Sequence, residues 1–89
     1  MIWTDILLEA KNSTKFAYQL LGRMQADCRY FLGAGGHCEK FLWANTKEEH
    51  IEKMIELYDA FPRYQKPEWC TLEDIKSYAE EMGVEVQQI

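Results

Sequence analysis

Apolar residues recur at steps of three and four along three stretches of the chain. The first comprises Phe16, Leu20, Leu21, Met24, Cys28, Phe31 and Leu32. The second comprises Ile51, Met54, Ile55, Tyr58 and Phe61, and the third Leu72, Ile75, Tyr78, Ala79 and Met82. This spacing places each set on one face of an α-helix. It predicts three main helices at about 14–32, 47–61 and 72–82.

Polar residues between the apolar stretches predict where the first helices begin and end. Asn12, Ser13 and Thr14 prefer helix caps to helix interiors, so they separate the first main helix from a short N-terminal helix at about 4–11. Gly33 follows the last apolar residue of that main helix, and we expect it to end the helix in the left-handed conformation.

The other helices carry similar signals. Thr46 and Glu49 have the spacing of a capping box, in which each side chain satisfies the other residue's backbone N–H. Pro62 disfavours helical geometry at the preceding residue and therefore ends the second main helix. Thr71 is expected to cap the third main helix, and Gly83 to end it in a Schellman motif.

These patterns predict an all-α fold: a small single-domain bundle, spanning residues 1–89, with aromatic loops between its helices. The composition agrees, since 47% of the residues are hydrophobic and 13% are aromatic. A chain of this size buries roughly 60–65% of its unfolded surface, which is enough for one core.

The charge distribution argues against a nucleic-acid-binding surface. The net charge is −5, with four bases against three acids in residues 1–38 and six bases against twelve acids in residues 39–89. Nucleic-acid binders need clustered lysine and arginine. No apolar run approaches the ~18 residues of a transmembrane helix, and the chain does not open like a signal peptide. We therefore expect a cytoplasmic protein with no membrane or direct nucleic-acid partner, as a monomer or weak homo-oligomer.

The glycine-rich run at residues 33–36 invites comparison with a phosphate-binding loop. Such a loop follows a strand and is followed by a lysine and a serine or threonine at the start of a helix. Here a predicted helix precedes the run, and His37 and Cys38 follow it. A helix stop and turn is the better interpretation, and no cofactor is predicted.

Several side chains could in principle offer ligands to zinc: Cys28, His37, Cys38, His50 and Cys70. Structural zinc sites usually take ligands in closely spaced pairs such as Cys-x-x-Cys, and none occurs here. Cys28 lies on an apolar helix face, where cysteine behaves as a small hydrophobe. We therefore predict no metal site and three reduced thiols.

A cysteine nucleophile is a further hypothesis. Cys70 immediately precedes a predicted helix start, where the helix dipole favours a thiolate, and His50 could serve as its base. The sequence indicates no orienting third group and no oxyanion hole, so no catalytic residue is assigned.

Large aromatic residues in the loops are candidates for a protein-contact surface. Trp43, Tyr64 and Trp69 stand beside predicted helix ends, where they either lock the loops to the core or form binding anchors. Arg63 and Lys66 add positive charge around Tyr64. Together these five residues form the predicted contact surface, with Tyr64 as its best single anchor.

Four segments resemble, in order, a family of bacterial mobile elements: the large polyvalent protein-associated domains, of the eleventh type. The segments are YQLLGRMQADCRYFLG, EKFLWA, HIEKMIELYDAFP and KPEWCTLEDIKSYAEEMG. The likeness covers about residues 16–83. The resemblance implies a helical domain found in conjugative transposons of Firmicutes, either alone or within very large multidomain proteins.

The resemblance implies a context and no catalytic residues. Our leading hypothesis is a non-enzymatic accessory protein of a mobile element that acts by binding another protein. The alternative is a modulator of nucleic-acid handling, either as a relaxosome partner or as an acidic nucleic-acid mimic. An unrecognised cysteine enzyme is the third hypothesis.

Overall fold

A computed structural model describes residues 3–34, 36, 38–44 and 46–85 of the 89-residue chain. Their regular structure consists of α-helices and short 3-10 helices. The α-helices are α1 (Trp3–Asn12), α2 (Thr14–Leu32), α3 (Lys47–Ala60) and α4 (Leu72–Met82). The 3-10 turns are Glu39–Phe41 and Arg63–Gln65. The all-α prediction is confirmed. The division into three main helices and one short helix is wrong, because α1 has 10 residues and α4 has 11.

Polar caps set most of the helix boundaries. Ser13 separates α1 from α2, and its hydroxyl accepts a hydrogen bond from the backbone N–H of Phe16. Thr71 and Asp74 form a full capping box at the start of α4. Gly83 lies in the left-handed region (φ 78°), and the N–H of Val84 donates to the carbonyl of Ala79 at 2.8 Å. This is the Schellman motif that the sequence predicts.

Two boundary predictions are wrong in detail. Gly33 has φ −110° and is therefore not left-handed, although its N–H still donates to the carbonyls of Arg29 and Tyr30 at the end of α2. At the start of α3, the Thr46 hydroxyl accepts from the Glu49 N–H, but the Glu49 carboxylate lies 3.9 Å from Lys53 Nζ. The expected box is thus half formed.

The core lies where α2 meets the other three helices, since α1, α3 and α4 all contact α2. The predicted apolar faces supply it. Its fully buried side chains include Leu21, Met24, Cys28, Phe31, Ile51, Met54, Leu57 and Ile75. Among the described residues, no helix combines the length and the apolar character needed to cross a membrane.

Candidate protein-contact surface

The connector, residues 61–71, joins α3 to α4 and is tied to α2 by hydrogen bonds. The Tyr18 hydroxyl donates to the Gln65 carbonyl at 2.6 Å, and the Thr14 hydroxyl donates to Gln65 Oε1 at 2.9 Å. Farther along, Gln25 Nε2 donates to the carbonyl of Trp69 at 2.9 Å. The connector backbone is therefore fixed to α2 at two separate points.

Lys66 ties the connector to the end of α3. Its Nζ donates to the carbonyls of Tyr58 at 2.9 Å and Phe61 at 3.3 Å, and lies 4.7 Å from the centroid of the Tyr58 ring. Carbonyls in the last turn of a helix lack intrahelical partners, and a cation there also interacts favourably with the helix dipole. The ammonium group of Lys66, a predicted contact residue, thus has partners within the chain.

Three aromatic rings lead from the core to the surface of the connector. The buried ring of Phe61 stacks on Tyr18, with centroids 5.0 Å apart and planes at 28°. Tyr18 in turn contacts Trp69, with centroids 6.0 Å apart. Trp69 lies over α2 at Gly22, where a Cβ atom would stand 3.8 Å from Cη2 of the indole. The indole is therefore supported by α2, while Trp69 remains 45% exposed.

Tyr64 projects from the connector. It belongs to the 3-10 turn Arg63–Gln65 and is 87% exposed, the highest value among the exposed large hydrophobic residues of the described chain. Arg63 beside it is also exposed. An aromatic ring of this size contributes strongly to binding when a partner buries it. Arg63, Tyr64 and Trp69, all predicted contact residues, therefore occur together on one fixed connector.

Trp43 has a different environment. Its ring packs edge-to-face against Trp3, with centroids 5.5 Å apart. Lys53 Nζ lies 5.6 Å from the centroid of each indole, and Trp3 Nε1 donates a hydrogen bond to a Glu56 carboxylate oxygen. We call Trp3 and Trp43 the tryptophan pair. This predicted contact residue therefore packs within the chain, between α1 and α3.

His50 is a buried polar residue that the apolar pattern did not single out. Its Nε2 lies 2.9 Å from the carbonyl oxygen of Met24. Because a carbonyl can only accept, Nε2 carries the proton and Nδ1 is a bare acceptor. Nδ1 is buried and has no hydrogen-bond partner among the described residues. Burial lowers the pKa of His50, while the bond to Met24 and the charge of Asp27 oppose that shift.

A sequence signal for His50 does exist. His50, Met54, Leu57 and Phe61 follow steps of four, three and four residues, and all four are buried. This row shares Met54 and Phe61 with the predicted apolar face of α3 and extends that face to His50 and Leu57.

Burial disfavours the thiolate form of two cysteines. Burial and, to a smaller extent, nearby Asp74 raise the pKa of Cys70 to about 11, while Arg29 opposes the shift. The expectation that the helix dipole favours a thiolate at Cys70 is therefore wrong, because removal from water dominates. Burial likewise raises the pKa of Cys28 to about 12, and its Sγ lies 3.6 Å from Met54 Sδ. Burial thus favours the protonated form of both thiols.

The proposed metal ligands do not converge in the part of the chain that the structure describes. No three histidine, cysteine, aspartate or glutamate side chains there are arranged to hold a metal ion. Gly35 and His37 lie outside the described residues.

The fold and the connector define a small helical domain with an exposed aromatic loop. The family Large polyvalent protein-associated domain 11 matches residues 14–82, which is well over half of the chain. The chain belongs to this family, as the resemblance of its four segments predicts. No curated protein and no solved structure gives a significant match. The match begins after α1, so half of the tryptophan pair lies outside the region shared with the family.

Proposed function

We propose that this chain is a non-enzymatic accessory protein of a bacterial mobile genetic element, of the kind carried by conjugative transposons of Firmicutes. It acts in the cytoplasm by binding another protein through the connector. Membership of a family of domains associated with large polyvalent proteins supports the accessory role. The observation that carries the binding role is the 87% exposure of Tyr64 on a connector held by its own hydrogen bonds.

The outer faces of α3 and α4 are poorer candidates for the centre of an interface. Their exposed carboxylates are Glu48, Glu52, Glu56, Asp59, Glu73, Glu80 and Glu81. Acidic side chains are depleted from interface cores, whereas tyrosine, tryptophan and arginine are enriched there. The connector has the favoured composition and these helix faces do not.

The test compares two truncations of exposed side chains. Tyr64→Ala should weaken partner binding by about 2 kcal/mol or more, since anchors of this type have such values. Leu8→Ala is the matched control, because Leu8 is 60% exposed on α1 and lies outside the connector. It should leave binding unchanged. The tagged chain is first used to isolate partners from a host that carries the parent element, and affinities are then measured with the purified partner.

A thermal melt on the same variants separates binding from folding. Both truncations should leave the melting temperature nearly unchanged, because exposed substitutions usually change stability by less than about 0.5 kcal/mol. The proposal fails if Tyr64→Ala lowers the melting temperature and leaves the affinity of the folded protein unaltered. Capture of nucleic acid in place of a protein would instead favour the alternative role in nucleic-acid handling.

A further inference from the structure

We infer that the connector binds an acidic protein segment that carries a large apolar side chain. The binding surface, here called the connector face, comprises Arg63, Tyr64 and Trp69 with Lys15 of α2. This inference rests on the proposed function, since it specifies the chemistry of the protein partner.

The connector face belongs to two basic segments of an acidic molecule. α2 carries three bases and one acid, and the connector carries two bases and one acid. These two segments therefore have a net charge of +3 within a chain whose net charge is −5. Complementary potentials steer association and suppress wrong partners, so these segments favour an acidic partner.

The cations of this face are available to a partner. Lys15 and Arg63 are exposed, and no carboxylate pairs with them within the described ranges. Lys53, by contrast, lies 3.9 Å from Glu49, and Lys66 is bonded to the end of α3. Lys15 precedes Tyr18 by three residues and thus lies on the helix face that supports Trp69.

The backbone beneath the apolar part of the face, together with the Trp69 ring, is held in place before binding. Trp69 rests on α2 over Gly22, and Gln25 holds its backbone carbonyl. Tyr64 immediately precedes Gln65, which Thr14 and Tyr18 hold. A surface that is already ordered loses little conformational entropy on binding. A large apolar side chain of the partner can therefore pack against these rings at low cost.

The same surface fits nucleic acid less well than a peptide. Nucleic acid carries a phosphate at every nucleotide, and its binders neutralise many of them with clustered bases. Here two exposed cations stand in a molecule whose α3 and α4 each carry more acids than bases. A peptide can place one or two carboxylates opposite those cations and keep the rest of its length uncharged. The observations therefore favour an acidic peptide.

A displayed library of short random peptides, selected on the full chain, tests the inference. Enriched peptides should carry net negative charge and at least one large apolar residue. Their binding is then measured by fluorescence anisotropy. Arg63→Glu should weaken it about tenfold at low salt, and less at high salt, where exposed charges are screened. Lys76→Glu is the matched control, since it makes the same charge change at an exposed site on α4 and should have little effect.

The outcomes distinguish this inference from the proposed function. If the enriched peptides are neutral or basic and lose affinity on Tyr64→Ala, the inference of an acidic partner is wrong, but the proposal that the connector binds a protein stands. If no enriched peptide loses affinity on Tyr64→Ala, both proposals fail. A labelled single-stranded oligonucleotide is titrated in parallel. If it binds tightly and Arg63→Glu abolishes this binding, the inferred partner is a nucleic acid and the inference of an acidic peptide is wrong.

Discussion

Two aromatic regions of the described chain, the tryptophan pair and the connector, differ in how far their rings are covered by the rest of the chain. In the tryptophan pair, Trp3 and Trp43 contact each other, Lys53 supplies a cation to both rings, and Glu56 accepts the Trp3 N–H. In the connector, the row of rings ends at Trp69, which is 45% exposed, and Tyr64 is more exposed still. The two indoles of the tryptophan pair thus have their contacts within the chain, whereas Trp69 and Tyr64 of the connector expose much of their surface to solvent.

This difference shows that an aromatic loop residue should be judged by its partners. Trp43 and Trp69 are both tryptophans beside helix ends, and their local sequences do not distinguish them. The indole of Trp43 obtains its ring contact and its cation from α1 and α3, whereas Trp69 obtains support from α2 on one side only. The tryptophan pair therefore packs within the fold, whereas the connector leaves aromatic area exposed.

Trp43→Ala should cause the largest loss of stability among these variants. If it causes little loss, the tryptophan pair does not differ from the connector in its contribution to folding. Truncating a core tryptophan costs about 3–5 kcal/mol, and the half-buried position of Trp43 reduces this to about 2–3 kcal/mol of unfolding free energy. Chemical denaturation measures the loss. Trp69→Ala serves as the companion variant and should cost less, because the ring is 45% exposed. Equal losses would show that the two regions contribute alike to folding.

Acid should weaken the core through His50 while sparing the aromatic regions. The pKa of His50 is lowered in the fold, so the unfolded chain binds a proton first. Stability is therefore fully present above the unfolded pKa of about 6.5 and is lost as the pH falls from there through the folded pKa. Melting temperatures should decrease between pH 7.5 and 5.

His50→Gln isolates this contribution. Glutamine can still donate to the Met24 carbonyl but does not titrate, so the decrease in melting temperature with acid should become smaller. His37, the other histidine of the chain, is present in both proteins and cancels from the comparison. An unchanged pH dependence would exclude His50 as the source.

Lys53→Met should cause the smallest loss of stability. It compares the cation beside the tryptophan pair with the exposed cation of the connector, Arg63. Methionine keeps an apolar stem but removes the cation from both indoles and from Glu49. Partly exposed cation–π contacts contribute about 0.5–1 kcal/mol, and the ion pair adds little. The matched variant Arg63→Met should leave the free energy of unfolding unchanged, because Arg63 has no ring contact or ion pair of this kind among the described residues. A loss at Arg63 equal to that at Lys53 would contradict the assignment of the two cations.

Local sequence predicted the parts of the fold that local interactions determine. Ser13, Thr71 and Gly83 act within one helical turn of their own positions, and their roles are confirmed. The prediction that Gly33 is left-handed is wrong, since its φ is −110°. The thiolate prediction for Cys70 is wrong because burial by distant segments outweighs the nearby helix dipole.

The predicted contact residues also differ in whether neighbouring or distant residues determine their environment. Tyr64 lies between two prolines and outside the helical faces, so its exposure followed from its neighbours in sequence. Trp43 depends on Trp3, 40 positions away, which no local pattern indicates. Lys66 was placed with the contact residues because its charge is visible in the sequence, while the α3 carbonyls that bind it are not. The contact roles of all five residues stay predictions.

The docking of Trp3 on Trp43 also has an evolutionary consequence. The family match begins at residue 14, so α1 covers Trp43 with a segment that lies outside the shared region. Mutation at Trp43 or Lys53 should then be more costly in relatives that possess an equivalent of α1. Across the family, these two positions should covary with the presence of that helix, and relatives without it should be free to drift there. Tyr18 and Gln65, whose contacts lie wholly within the match, should drift independently of it.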